Sequence, residues 1–339
     1  MNLSRRQIIK YAGMLGLGVG ASNLLPGLSS PSRAAVPLTM QLDWKFNVQF
    51  AGLLMADYLG LYQDSGLTVS LKPWESGMVV PDEVAANPMV IGCAEQNLIL
   101  SAQANGAPIR AVASMFQASP LALMSLPESE INTLTDLVGK KVGVHVDGLQ
   151  VMNLVQGASN LAPGDIEVVE IPYENKNALL TSSEFAAIQC YAVDEPIGFK
   201  AASGVEPVIL NLSDYGYEAY AQVIFAHADL LDSEPDAVKQ FLKATFEGWQ
   251  KVLYDIPAGA QMVVDHYVEA DSKYNDINYQ IDSLKLIYDY MLMNIEAEAL
   301  GTIDMERWML MAQRFADYNI IDAAPDAGSS YVPDFWPGI

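Results

Sequence analysis

Apolar and polar residues alternate through Leu38, Met40 and Leu42, the period of a half-buried strand. A loop at 43–48 follows, then a helical run, Gln49–Tyr62, ended by Gly66. Thr68–Leu71, Met89–Ala94 and Ile109–Phe116 predict three more strands, and a helix runs from Glu95 to Asn105-Gly106. The pattern then restarts. Ala122–Leu126, Lys141–Val146, Ile166–Ile171, Ala186–Tyr191 and Val208–Leu210 read as strands, with a short helix at Leu134–Val138 and another after Asp147-Gly148. Alternation at this spacing predicts parallel sheets covered by helices on both faces. Beyond Gln222–Phe225 the chain turns mainly helical. Ser233 is expected to cap a helix with Pro235 in its first turn and Val238, Phe241, Leu242, Thr245, Trp249 and Leu253 on one face. The Pro-, Gly- and Asp-rich stretch 323–339 predicts an irregular tail, and no internal repeat is present.

One strand–helix set, a second set and a helical return predict an α/β chain of two lobes. Residues 36–120 would begin the first lobe, 121–221 form the second, and 222–322 return to the first. Two crossings are placed near Gln117–Leu121 and Tyr220–Gln222. Ligands of α/β sheets bind beyond the carboxyl ends of the strands, so a cleft between the lobes would collect those loops from both sides.

Residues 1–35 have the make-up of an export signal. Arg5-Arg6 and Lys10 precede an apolar, glycine-rich run from Tyr11 to Leu25, and Ser32 and Ala34 suit a cleavage site after Ala34. The paired arginines read as the twin-arginine type, and the absence of a cysteine near the cut argues against a lipid anchor. A membrane span needs about 20 apolar residues, and no later segment supplies them. The expected protein acts in the periplasm or another extracytoplasmic space.

Removal of the signal leaves 14 Lys and Arg against 41 Asp and Glu, a net charge near −27. That surface repels nucleic acid and anionic lipid, so neither is an expected partner. Cys93 and Cys190 sit in apolar runs and are expected to be buried free thiols.

Leu42-Asp43-Trp44-Lys45-Phe46-Asn47, then Ala51-Gly52, then Gly60–Val69 resemble the opening of one family. Asn105–Ile109, Phe116–Pro120, Asp136–Gly143 and Asp194-Glu195-Pro196 fit the same pattern in order, covering roughly Leu38–Tyr318. The family is that of solute-binding proteins for thiamin pyrimidine precursors, whose wider relatives bind sulfonates, nitrate or riboflavin. The resemblance implies a type II periplasmic-binding fold and an ABC permease with its ATPase as partners. The chain departs from the pattern at Phe46 and Phe50, where Pro and His are usual, and at Asp194, where Asn is usual.

Eight residues are candidate ligand contacts. Trp44 follows a strand end, where a flat side chain can stack on a ring. The resemblance implies a stacking ring at Tyr191 and, at Glu195, a carboxylate facing a heterocycle's amino group, a pairing that charge-assisted bonds would strengthen. Asn47 and Gln49 lie in the first loop. Gln117 and Ser119 lie at the first crossing, where hinge support competes with ligand contact. Tyr220 precedes the return. Asp194 is expected to cap a helix, Gly148 opens a helix start able to hold an anion, and Glu95, Gln96 and Asn97 begin another helix near the cleft.

Catalytic signatures are lacking. His145, His227 and His266 show no metal spacing, and no nucleophile elbow or phosphate loop occurs. Thiamin pyrimidine synthase is implied to share the fold. Its cofactor lysine and its histidine fall on Ala94 and Leu98, and its cysteine-rich segment on the cysteine-free Gly216–Tyr220. The expectation is therefore a binding protein without catalysis, cofactor or metal. Its ligand would be a flat nitrogen heterocycle, a thiamin-type pyrimidine first, riboflavin second, and sulfonate or nitrate third. Only Lys45 and Lys176 offer cations in cleft loops. A metabolite-sensing role is the alternative to import.

Overall fold

The computed structural model describes residues 35–173 and 176–338. Of the signal expected over residues 1–35, residues 1–34 lie outside the described residues. Ten strands form two five-stranded sheets. The first contains β1 (Val36–Gln41), β2 (Leu67–Lys72), β3 (Val90–Ala94), β4 (Ile109–Phe116) and β10 (Ala221–His227), in the order β2-β1-β3-β10-β4. The second contains β5 (Leu121–Ser125), β6 (Lys141–Val144), β7 (Glu167–Glu170), β8 (Ala187–Tyr191) and β9 (Val208–Asn211), in the order β7-β6-β8-β5-β9. Helices cover both, which makes the two-lobed α/β architecture expected from the pattern.

Neither sheet is wholly parallel. β10 runs antiparallel to β3 and β4, and β5 antiparallel to β8 and β9. The reason lies in the connections. Parallel neighbours need a crossover, usually a helix, whereas β5 and β10 are the strands by which the chain enters a sheet directly from the other lobe. The two crossings touch each other, Ser119 N donating to Ala219 O at 2.9 Å.

Local differences from the sequence pattern have equally local causes. The run Gln49–Tyr62 forms a 3₁₀ turn, Val48–Phe50, and two helices, Ala51–Tyr58 and Leu61–Asp64. Gly60 divides the helices with φ +74°, a conformation that suits glycine. Ser233 ends the helix Ala228–Ser233, its hydroxyl donating to Asp229 O, and Glu234 takes the cap position before Pro235. The helix Pro235–Tyr254 buries Val238, Phe241, Leu242, Thr245 and Trp249 as its period demands. Residues 323–338 are better ordered than their composition suggests. A turn of helix spans Ala327–Ser330, and Val332 N donates to Ala111 O, covering the edge strand β4. Cys93 and Cys190 are both buried and unbridged. Among the described residues no helix is long and apolar enough to cross a membrane.

Candidate functional site

The carboxyl ends of the parallel strands face one another across the lobes, and each carries a polar or aromatic side chain. Asp43 and Trp44 follow β1, Trp74 follows β2 and Glu95 follows β3. From the second lobe come His145 and Asp147 after β6, Tyr173 after β7, and Tyr191 and Glu195 at and beyond the end of β8. Trp44 stacks on Trp74 at 5.1 Å between centroids, and Tyr173 from the other lobe packs against both, at 5.5 and 5.8 Å. His145 stacks on Tyr173 at 4.1 Å.

Behind these rings lie carboxyls. Glu95 is buried, and its Oε1 accepts the Tyr191 hydroxyl across the lobes at 2.9 Å. Burial pushes its pKa up to about 8, against the opposing influence of the Ser119 and Tyr191 hydroxyls and with Asp43 and Asp147 adding repulsion. Asp43 accepts Gln222 Nε2 at 2.8 Å, and burial raises it to about 7. Gln222 holds φ +51° inside β10, a left-handed conformation that costs a non-glycine residue about 1–2 kcal/mol and aims the amide at Asp43. His145 Nδ1 lies 3.1 Å from Ile171 O, a contact that places the proton on Nδ1. Burial, then Lys176, lowers its pKa and keeps the ring neutral.

Three buried polar atoms in this cluster have no partner: Glu95 Oε2, Gln222 Oε1 and His145 Nε2. Gln222 Oε1 and His145 Nε2 are acceptors, and Glu95 Oε2 becomes one when the carboxyl ionises.

The eight sequence candidates divide. Trp44 and Tyr191 stand in the cluster, and Ser119 lies against Glu95 while its Oγ accepts Leu121 N. Tyr191 donates its hydroxyl to Glu95. Glu195 has partners within the protein. Lys176 binds its Oε1 and Tyr191 N donates to its Oε2 at 2.7 Å. Burial pushes the Glu195 carboxyl up, but Lys176 and Lys273 outweigh it and hold it at about 2. Asn47 caps the 3₁₀ turn, accepting Gln49 N and donating to Lys45 O, so this pair shapes the loop. Gln117 donates to Thr302 O, and Tyr220 accepts Asp304 N, so both belong to the hinge. There Arg307 binds Gln117 O and Glu218 O and lies 4.0 Å over the Tyr220 ring.

Asp194 occupies a cap position without a side-chain cap bond. Its carboxylate instead receives the hydroxyls of Tyr274 and Tyr279 and the Lys273 ammonium, the last at 3.1 Å. Tyr274 also accepts Trp44 Nε1 at 2.7 Å. Gly148 lies inside the helix Val146–Ala158, and a Cβ there would stand 2.0 Å from Gln189 Oε1, which accepts His145 N. The glycine makes room for that side chain. Gln96 and Asn97 bond Trp308 O and the Tyr217 hydroxyl, structural tasks away from the rings.

The NMT1/THI5-like family model matches residues 47–259. The chain belongs to that family. A Haemophilus influenzae protein named for thiamine biosynthesis is 26% identical over 199 residues, 58% of this chain and 63% of that protein's length. The riboflavin-binding protein RibY of Chloroflexus aurantiacus is 21% identical over 89% of this chain and 86% of its own. A Legionella pneumophila protein named 4-amino-5-hydroxymethyl-2-methylpyrimidine phosphate synthase is 23% identical over 62% of this chain and 67% of its own. Among solved structures, the periplasmic nitrate-binding protein NrtA from Synechocystis superposes with a TM-score of 0.68 at 14% identity, over 89% of this chain and 87% of that one. The fold is thus that of the periplasmic nitrate-binding protein. Trp74, Tyr173, Asp43 and Gln222 escaped the sequence reading, although the first three stand within three residues of a predicted strand's carboxyl end.

Proposed function

We propose that this protein is the extracytoplasmic solute-binding component of an ABC importer, exported by the twin-arginine signal and passing its ligand to a membrane permease served by an ATPase. Its ligand is a flat nitrogen heterocycle, a thiamin-type pyrimidine first and riboflavin second. The lobes close about the two crossings, and contacts from both sides stabilise the closed form. The observation that carries the reading is the meeting of Trp44 and Trp74 from one lobe with Tyr173 from the other beside buried Glu95. Rings from both lobes suit a flat solute, and a carboxyl beside them suits its amino group. Ala94 and Leu98, at the positions of the synthase lysine and histidine, support binding without chemistry.

The test is calorimetric titration of mature protein, stripped of ligand by unfolding and refolding, with an aminopyrimidine thiamin precursor, thiamin, riboflavin, taurine and nitrate. Tight binding of the aminopyrimidine that Trp44→Ala weakens strongly is the expected result. Tight binding of taurine or nitrate alone would sink the heterocycle reading.

A further inference from the structure

We propose that the cleft prefers an organic cation rich in N–H donors to a neutral isostere and rejects an anion of the same shape. The inference rests on the reading of the interlobe cleft as the ligand site, and it fixes the charge and hydrogen-bonding class of what enters.

The argument starts from the acceptors. Gln222 Oε1 and His145 Nε2 are unpartnered acceptors on residues 1% and 2% exposed, and Glu95 Oε2, on a residue 6% exposed beside the Ser119 hydroxyl, joins them once a cation draws the carboxyl into its ionised form. A buried acceptor without a donor is costly, so a ligand that supplies donors is favoured and one that supplies only acceptors is repelled. A sulfonate or nitrate brings oxygens to a place already crowded with lone pairs.

Charge points the same way. Asp43, Glu95 and Asp147 influence one another across the cleft. The other ionisable groups facing them are Cys93 beside Asp43, the phenols of Tyr173, Tyr191 and Tyr217, and neutral His145. Lys176, the cation nearest His145, is held by Glu195. Lys45 is exposed on its loop, and among the described residues no cation is recorded acting on Asp43 or Glu95, while the faces of Trp44, Trp74 and Tyr173 attract cations. A metal ion does not suit the place, because among the described residues no three His, Cys, Asp or Glu side chains stand close enough to hold one. A flat amidinium or aminoheterocyclic cation meets all three demands: ring face, donors and charge.

Entry of a permanent cation makes ionisation of Glu95 and Asp43 favourable. With these groups at about 8 and about 7 when the cleft holds no cation, binding at neutral pH should release about one proton.

Benzamidine, benzamide and benzoate share one shape and carry positive, zero and negative charge. Each is titrated into the stripped mature protein near pH 7, with tryptophan fluorescence and calorimetry in two buffers of different ionisation heat. Benzamidine should bind about tenfold or more tighter than benzamide, benzoate should fail at the same concentrations, and benzamidine should release about one proton. Glu95→Gln and, separately, Asp147→Asn should shrink the preference for benzamidine over benzamide in variants that retain the parent's circular dichroism. Equal binding of benzamidine and benzamide, preference for benzoate, or binding of none of the three overturns the proposal. So does a benzamidine preference that neither variant alters, since the cation is then held by the acidic surface elsewhere. A tight heterocycle titration combined with no charge preference in this series would leave the importer reading standing and remove this inference alone.

Discussion

Tyr274→Phe separates the contacts that hold the closed form from those that merely hold the fold. The Tyr274 hydroxyl accepts Trp44 Nε1 at 2.7 Å and donates to Asp194 at 2.9 Å. Trp44 belongs to the first lobe, and the helix Ile277–Met291 next to Tyr274 is tied there by Val48 N donating to Gln280 Oε1. Asp194 belongs to the second. With this helix riding on the first lobe, parting leaves Tyr274 its bond to Trp44 and breaks the one to Asp194, as it breaks that of Ser283 to Val193 O. Loss of Trp44's partner therefore weakens open and closed forms alike, and the difference between them is one hydrogen bond to a carboxylate. Such bonds contribute about 1.5–3 kcal/mol. Asp194 keeps Lys273 and Tyr279, so the lower figure applies, and about 1.5 kcal/mol is roughly tenfold in the closing equilibrium. Stopped-flow tryptophan fluorescence should show dissociation about tenfold faster and association little changed. An unchanged dissociation rate in a variant that loses thermal stability would refute the reasoning, because the bond would then support the fold and not closure.

Three further outcomes are expected. Glu95 and Asp43 prefer their protonated forms in the folded protein, so the native state binds more protons than the unfolded chain above pH 5. Stability of the ligand-free protein should therefore fall from pH 5 to 8 as they ionise, and Glu95→Gln should flatten the slope in a melting series. Glu195 has the opposite sign. Its stabilisation is complete above the ordinary glutamate range and is lost as acid approaches its depressed value of about 2. Lys176→Met strands that carboxylate, and urea unfolding should show a loss of about 3 kcal/mol, partly recovered by Lys176→Met with Glu195→Gln. Gln222→Gly and Gln222→Ala both delete the amide, but only alanine retains the strain of φ +51°, so the glycine variant should be the more stable by about 1 kcal/mol in the same assay.

The strands were legible as short apolar or alternating runs bounded by turn residues, a signal that sheet contacts do not alter. Trp44 and Tyr191 were legible because they sit at strand ends. Ser233 was misplaced because it and Glu234 both precede Pro235, and the choice between them turned on the Asp229 carbonyl taking the serine hydroxyl. The pairing of Glu195 with Lys176 was not legible because it arises only through the packing of the helix Lys176–Thr181, which no local pattern announces. Trp74 and Tyr173 share no periodicity. They meet because two sheets shut on one another, a relation held in tertiary distances and absent from any window of sequence.

Arg307 sits late in the chain, on the helix Met305–Asp317, yet it ties together the two crossings at Gln117 and Glu218. During synthesis every strand of both sheets leaves the ribosome before this arginine does. The lobes can thus form first on crossings joined by the Ser119–Ala219 backbone bond, and the guanidinium tie arrives only late in the chain. A product cut short before Met305 would keep every described strand and the Ser119–Ala219 bond but lose the guanidinium that grips both crossings. Its two halves would move about a looser axle than those of the longer chain.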